Sequence, residues 1–224
     1  MEFTYTTVYS NRKTVSIIVE RDRSIVVRAP LNTEKAKIEE IVDKKKYWIR
    51  EKIEHYQKYP SVKQKKEFVS GESLLYLGKP YPLIVVEDDF EGVRFDSKFL
   101  ISRNSQTRAS EILHEWYFRS AAEVLLPKAV NLANQIGVSY NKITIRDLKY
   151  RWGSCTPKDN IHFNWRLVKA PMNVAEYIIV HELTHLLEAN HSQEFWHRVR
   201  AAYPMYPEAR KWLKDSGHQL ETDF

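Results

Sequence analysis

Three histidines and a glutamate close together in the sequence carry side chains that can bind a metal ion and move a proton. His181 and His185 are four residues apart, so on a helix they lie on one face and can bind the same ion. Glu182 is turned by about 100° from His181 around such a helix, which leaves its carboxylate beside the ion rather than on it. The pattern His-Glu-x-x-His therefore predicts a metal site with a proton acceptor next to it.

The third ligand of such a site is predicted to be His191. A catalytic zinc ion commonly has three protein ligands and one open position, and zinc favours imidazole nitrogen. The helix must end before His191 can fold back, and Asn190 suits the left-handed conformation that ends helices. Two alternatives stay open. Glu188 shares the helical face but lies about 10 Å of helical rise beyond His181, and Glu208 falls in a later predicted helix.

The residues around these histidines predict a buried helix over Val174–Ala189. Apolar side chains surround the pattern on most sides: Tyr177, Ile178, Ile179, Val180, Leu183, Leu186 and Leu187. Two histidines and a glutamate in such a helix need partners, because an unpaired buried charge is costly. A metal ion would supply them. The alternative is a pair of hydrogen-bonded core histidines with Glu182 in an ion pair.

A strand predicted upstream, Asn160–Val168, can line the site. Its residues alternate, so that Asn164 and Arg166 share the polar face with His162. That face can hold an extended substrate through strand addition. The alternative for Asn164 and Arg166 is a structural one, in which their hydrogen bonds or ion pairs fix the loop.

The loop before this strand contains three residues with possible roles. Arg151 can stabilise an oxyanion or bind a carboxylate or phosphate, or it can brace the loop. Gly153 permits a turn that other residues resist. Cys155 is interpreted as a small buried thiol rather than a nucleophile, because nothing around it is typical of a cysteine protease.

The rest of the chain is predicted to form two domains, residues 1–105 and 106–224. Period-two patterns and turn residues predict strands in the first, followed by a long helix and more short strands. The ranges are Phe3–Val8, Val15–Glu20, Ser24–Arg28, the helix Thr33–Tyr59, and strands between Glu67 and Arg103.

The second domain is predicted to begin with a long helix that Pro127 kinks or splits and Gly137 ends. A strand and two short helices complete it around the elements already described: Lys142–Asp147, Ser192–Ala201 and Pro207–Asp215.

Several blocks of this sequence resemble the YgjP-like metallopeptidase family, which is related in its active site to SprT-like and other zincin proteases. They are Arg151–Cys155, Asn160–Pro171 and Tyr177–Trp196, with Gly71–Leu83 and Val26–Pro30 further upstream. The resemblance implies zinc on His181, His185 and His191, with Glu182 as the catalytic glutamate. Metzincins share the histidine spacing but have a glycine where this chain has Glu188, so their Met-turn is not transferred.

The expected fold class is α+β. The resemblance implies a zincin-like catalytic domain with a long backing helix, a small sheet and an active-site helix. A strand-rich N-terminal domain with one long helix would precede it.

Composition limits the location and the partners of the chain. It has 224 residues, 43% of them hydrophobic, and no apolar run near the roughly 20 residues that a membrane helix needs. The lone cysteine and the absence of a signal-peptide pattern at the start predict a cytoplasmic protein without a membrane partner. The net charge of +6 permits acidic partners, including nucleic acid or nucleotides, although a solvated lysine-rich surface is the favoured explanation.

Three functions follow from these observations. The first is zinc-dependent cleavage of peptide bonds in a peptide or protein substrate, with Glu182 as general base. The second keeps the metal but acts on UTP as a nucleotide pyrophosphatase, as some members of the resembled family are described, with Arg151 and Arg166 binding phosphate. The third is a DNA-associated binding or processing module.

Overall fold

The computed structural model describes residues 3–19, 24–58, 66–148 and 151–221 of the chain, with the side chains of residues 55–58 left out. These residues form six α-helices and three β-sheets, in agreement with the α+β prediction. The contacts divide the chain into two compact units, Met1–Lys63 and Gln64–Phe224. None of the described helices combines the length and the apolar character that crossing a bilayer requires.

The first unit is a three-stranded sheet with two helices. Strand β3 (Ile25–Pro30) lies in the centre, parallel to β1 (Thr6–Ser10) and antiparallel to β2 (Ser16–Val19). Helices α1 (Lys35–Lys44) and α2 (Lys46–Lys58) follow. Apolar residues of the strands and helices share one core: Val19, Ile25, Val27, Ala29, Ile38, Val42 and Ile49.

The single long helix predicted for this unit is two helices. Lys45 leaves the helical region, with φ −99° and ψ 6°, and its N–H bonds to carbonyls of the preceding turn. The apolar spacing continues across this break, which explains why periodicity alone did not reveal it. Glu20 and Tyr59, the predicted ends of β2 and of the helix, lie outside the described residues.

The second unit begins with a four-stranded sheet that packs on a long helix. The strand order is β4 (Ser73–Tyr76), β5 (Lys79–Val86), β7 (Phe99–Ser102) and β6 (Arg94–Phe95), and α3 (Ala109–Ile136) follows. Strands and helix share one hydrophobic core, and the hydroxyl of Tyr117 on α3 donates to the carbonyl of Leu75 at 2.6 Å. This shared core is why the division falls between Lys63 and Gln64 rather than near residue 105.

Helix α3 runs through Pro127 as one continuous element. The predicted kink or split is therefore not a break in the helix. Its end is as predicted, since Gly137 adopts the left-handed conformation with φ 77°.

The remaining elements carry the site. Strand β10 (Asn160–Asn164) lies between β8 (Lys142–Arg146), which is parallel to it, and the edge strand β9 (Gly153–Cys155), which is antiparallel. Three helices follow, namely α4 (Met172–Thr184), α5 (Gln193–Ala202) and α6 (Tyr206–Ser216).

Strand β10 is shorter than the predicted Asn160–Val168. The side chain of Asn164 accepts a hydrogen bond from the N–H of Arg166 and starts a 3-10 helix, Trp165–Lys169. Side-chain bonds of this kind compete with a strand ladder for the backbone. Apolar and polar residues continue to alternate after Asn164, so the sequence pattern did not predict that the strand ends there.

The turn between β4 and β5 is tied to the segment that leads into α4. The N–H groups of Leu77 and Gly78 donate to the carbonyls of Val168 and Lys169 at 2.8 and 3.0 Å. Gly78 has φ +80°, and a Cβ atom there would lie 2.8 Å from Cα of Pro171. Both the backbone conformation and the space therefore require glycine.

Replacing Gly78 with alanine should lower the free energy of unfolding by about 3 kcal/mol. A left-handed residue with a Cβ costs roughly 1–2 kcal/mol, and overpacking adds typically 1–3 kcal/mol. Gly92→Ala is the matched control, because Gly92 has φ +78° but nothing within 4 Å of its Cβ position. Urea denaturation of both variants measures the difference. Equal losses in the two would show that the contact with Pro171 contributes nothing.

Candidate metal centre

Three histidine rings converge at the C-terminal end of α4. His181 lies in the last turn of the helix and His185 is its C-cap, so their rings are 5.1 Å apart between centroids. His191 comes from the segment between α4 and α5, and its Nε2 lies 2.9 Å from Nε2 of His181. One nitrogen from each ring lies within 4.8 Å of the other two.

The segment between the end of α4 and His191 has a different backbone conformation from the predicted one. Helix α4 ends at Thr184, five residues before the predicted Ala189, and turn bonds such as Leu187 N–H to Thr184 O continue it at 3.0 Å. Among the described residues Asn190 is not one of those with positive φ, so a left-handed Asn190 is wrong. Ser192 then caps α5, as predicted, by accepting from the N–H of Phe195 at 3.2 Å.

The ring of Phe195 packs against the rings of all three histidines. Its ring is fully buried, with centroids 5.0 Å from His181, 4.6 Å from His185 and 4.8 Å from His191. Phe195 was not among the residues that the sequence predicted for the site. The sequence does contain a feature that could have indicated this role. Phe195 lies three residues after the helix cap Ser192 and next to Trp196, a position that is typical of an aromatic residue facing the core.

The hydrogen bonds and charges around the rings leave nitrogen lone pairs available. Nδ1 of His185 lies 3.0 Å from the carbonyl oxygen of Glu188, which can only accept, so Nδ1 carries the proton and Nε2 is free. Metal-binding histidines usually have such a partner on the other nitrogen. Burial lowers the pKa of His181 to about 3, helped by the charges of His185, His191 and Arg210. Its ring is therefore neutral and can donate a lone pair.

Other features of this group also match a zinc ion. Zinc–nitrogen bonds of about 2.0–2.1 Å in a tetrahedral site place neighbouring nitrogens roughly 3.4 Å apart. This value lies between the 2.9 Å that separates the nitrogens of His181 and His191 and the 4.8 Å that bounds the whole group. Nδ1 of His181 is buried and has no hydrogen-bond partner among the described residues. This atom lacks the partner that metal-binding histidines usually have, so the spacing of the nitrogens, and not this atom, supports a zinc ion here.

The two glutamates considered as third ligands lie elsewhere. The carboxylate of Glu188 pairs with Arg198 at 3.4 Å, and only its backbone carbonyl contacts a histidine. Glu208 is exposed in the first turn of α6. Among the described residues, neither joins the cluster of metal-binding groups.

The carboxyl group of Glu182, the residue after His181, is buried and contacts β9. Its side chain is 7% exposed, and burial raises its pKa to about 7, although the charge of Arg151 and a hydrogen bond from the N–H of Cys155 act in the opposite direction. A Cβ atom on Gly153 would lie 2.5 Å from Cγ of Glu182. Gly153 is therefore needed for this close approach, and it does not have the positive φ that the predicted turn role implied.

A family comparison adds to this geometry. The model of the YgjP-like metallopeptidase domain matches residues 13–216 of the chain. The chain belongs to the YgjP-like metallopeptidase family. Membership of this family implies a divalent metal ion and a peptide or protein substrate.

One solved structure is similar to part of this YgjP-like chain, and no curated protein gave a significant match. It is the crystal structure of the metallopeptidase zymogen of Pyrococcus abyssi abylysin, with 22% identity and a TM-score of 0.37. The match covers 41% of this chain and 95% of that one.

Two of the three predicted substrate-binding residues of this YgjP-like chain make structural contacts. The amide of Asn164, which is 2% exposed, donates to the carbonyls of Leu148 and Arg151 at 2.7 and 3.0 Å. Arg166 is buried, forms an ion pair with Asp147 and lies over the ring of Trp165. These contacts correspond to the structural alternative, in which both side chains fix the loop.

Arg151 and Cys155 lie at the ends of the segment that contacts Glu182. Arg151 is exposed, and its charge acts on the carboxyl group of Glu182. Cys155 is half-buried, and its thiol donates to the carbonyl of Thr156 at 3.7 Å. Burial raises the pKa of this thiol, and the charges of Glu182 and Asp159 raise it further, so it is a poor nucleophile.

The edge of β9 next to Glu182 presents backbone groups that have no backbone partner among the described residues. Trp152 and Thr156 form hydrogen bonds with β10, which makes every second residue of β9 face that strand. The N–H and C=O groups of Gly153 and Cys155 consequently point to the open edge. One of them, the N–H of Cys155, bonds to Glu182.

Replacing Gly153 with alanine should reduce turnover at least about 10²-fold without loss of bound metal. The added Cβ must displace the carboxyl group of Glu182, and misplacement of a catalytic group by about 1 Å can cost that much. Gly92→Ala, with open space around its Cβ position, controls for the general effect of alanine. Measurement of kcat and of metal content per chain tests this. Unchanged kcat would show that the close approach has no role in the reaction.

Proposed function

We propose that this chain is a zinc-dependent peptidase of the zincin type, in which His181, His185 and His191 hold the zinc ion and Glu182 is the general base. The observation that carries the proposal is the convergence of three imidazole nitrogens within 4.8 Å at the end of α4. The adjacent buried carboxyl group and the family membership support it.

The chemistry divides between the ion and the protein. A zinc ion held by the three rings would polarise a scissile carbonyl and make water more acidic. Glu182 then takes a proton from water and later returns it to the leaving amine. The N–H of Cys155 and the missing side chain at Gly153 orient its carboxyl group for both transfers.

Substrate binding is proposed at the open edge of β9. An extended peptide can add to this edge through the free backbone groups of Gly153 and the carbonyl of Cys155. Arg151 stands at the start of the same strand, where its guanidinium group can bind an anionic part of the substrate or the developing oxyanion. The segment supplies both contacts at a short distance from Glu182.

The two alternative functions have less support from the structure. Phosphate binding by Arg151 and Arg166 together is weakened, because Arg166 already forms an ion pair with Asp147. The DNA-associated function is supported by the net charge of +6 alone.

Peptide cleavage, pyrophosphate release from UTP and zinc content, all measured on one preparation, distinguish these functions. The proposal expects peptide cleavage that is lost when a chelator removes the metal and returns when zinc is added. Pyrophosphate release from UTP without peptide cleavage would establish the nucleotide alternative instead.

A further inference from the structure

Arg210 lies on a stack of rings that leads to the histidine cluster. Its guanidinium group sits over the ring of Trp196, 4.9 Å from the centroid. The ring of Trp196 stacks on His191 at 5.8 Å with an interplanar angle of 27°, and on Tyr206 at 5.7 Å with the same angle. Helix α6 therefore places the positive charge of Arg210 near the histidine cluster.

This cation has no carboxylate partner among the described residues. Four other arginines of the second unit do have one: Arg103 pairs with Glu87, Arg108 with Glu111, Arg166 with Asp147, and Arg198 with both Glu188 and Glu194. The side chain of Arg210 is exposed to solvent. Its positive charge is therefore not balanced by a carboxylate among the described residues.

The contact with the ring of Trp196 limits the positions that the Arg210 side chain can take, and this suits one class of ligand. A guanidinium group held by its flat face on an aromatic ring keeps its N–H groups at the edge available. Two parallel N–H bonds from such an edge match the two oxygens of a carboxylate. Less side-chain freedom is then lost when the ligand binds.

We propose that Arg210, held on Trp196, is a specificity-determining residue that binds a carboxylate of the peptide substrate close to the scissile bond. The inference rests on the proposed peptidase function and names its substrate class, peptides with an acidic residue near the cleavage site. A carboxylate is favoured over a triphosphate, because one guanidinium group can balance one negative charge but not several.

The experiment compares cleavage of a defined mixture of synthetic peptides by wild type, Arg210→Gln and Arg210→Glu. Mass spectrometry of the products gives the residues that flank each cleavage site. Lys211→Gln is the matched control, since Lys211 is the next residue of α6, is exposed and is turned by about 100° from Arg210. Zinc content is measured for every protein.

Wild type and Lys211→Gln should prefer peptides with Asp or Glu near the cleaved bond. Arg210→Gln should lose about tenfold in kcat/KM on these peptides, the effect of one charge-assisted pair, and less than about twofold on neutral ones. Arg210→Glu should shift the preference toward Lys and Arg. A residue that only supports Trp196 would lower cleavage of all peptides equally and leave the preference unchanged.

The outcomes separate this inference from the function on which it rests. Peptide cleavage without an acidic preference, or a preference that survives in Arg210→Gln, overturns the inference and leaves the peptidase function intact. No peptide cleavage by zinc-loaded wild type overturns both. An Arg210-dependent hydrolysis of UTP by the same preparation, without an acidic peptide preference, would assign the residue to phosphate binding.

Discussion

Replacing Glu182 with glutamine should lower peptide cleavage by about 10³-fold and leave bound zinc at the wild-type level. A positioned acid–base group contributes typically 10²–10⁴ to the rate, and an amide cannot accept the proton. Glutamine has nearly the same shape and can still contact the N–H of Cys155 through its carbonyl oxygen. The metal should stay, because in the proposed site the ligands are histidines.

Glu176→Gln is the control for this experiment. Glu176 lies on the same helix two turns earlier and pairs with Lys128 at 2.7 Å, away from the histidine cluster. It should cleave peptides at close to the wild-type rate. Turnover within tenfold of wild type in Glu182→Gln, at equal zinc content, would remove Glu182 from the proposed mechanism.

Replacing His191 with alanine should weaken zinc binding by more than about 10²-fold and abolish peptide cleavage at limiting zinc. Loss of an outer-shell partner alone costs 10–100-fold in affinity or activity, and loss of a ligand should cost more. His191 lies on an exposed segment, so alanine there leaves no buried cavity and the fold should remain stable. Zinc titration in competition with a chromophoric chelator measures the affinity.

His197→Ala provides the comparison, because His197 is an exposed histidine on α5 that lies outside the cluster. This variant should bind zinc as tightly as wild type. Wild-type affinity in His191→Ala would mean that another group completes the site. Glu188 and Glu208 would then be the first residues to replace.

The sequence predicted the part of the site that depends on helical spacing. His181, Glu182 and His185 follow from the period of one helix, and the return of the chain after a helix end was enough to suggest His191. The structure brings these three histidines together. Their roles as ligands stay a prediction until a metal is measured.

Contacts between distant segments could not be read from spacing. Gly153 and Glu182 are separated by a strand and a helix in sequence, yet one Cβ atom would make them clash. Arg210 reaches the histidines through the ring of Trp196, a contact between α6 and α5, both of which pack on α4. Asn164 is a second example of a contact that spacing did not reveal. The period-two alternation predicted that its side chain lines a cleft, but in the structure the side chain forms hydrogen bonds that hold a loop.

The contacts divide the chain at a different point from the predicted domain boundary, and the reason is related. The strands between Ser73 and Ser102 look like a continuation of the strand-rich start, because strand patterns carry no information about the partner on which they pack. Their core residues pack against α3, and the turn at Gly78 is tied to the segment before α4. They therefore belong to the unit that contains the histidine cluster.

X-ray absorption spectroscopy at the zinc edge, with metal content determined on protein purified without chelators, tests the three-histidine site most directly. We predict one zinc ion per chain, with three imidazole nitrogens at about 2.0–2.1 Å and a fourth light atom from solvent. Protein that carries no transition metal, or zinc bound by fewer than three imidazoles, would contradict the proposed site.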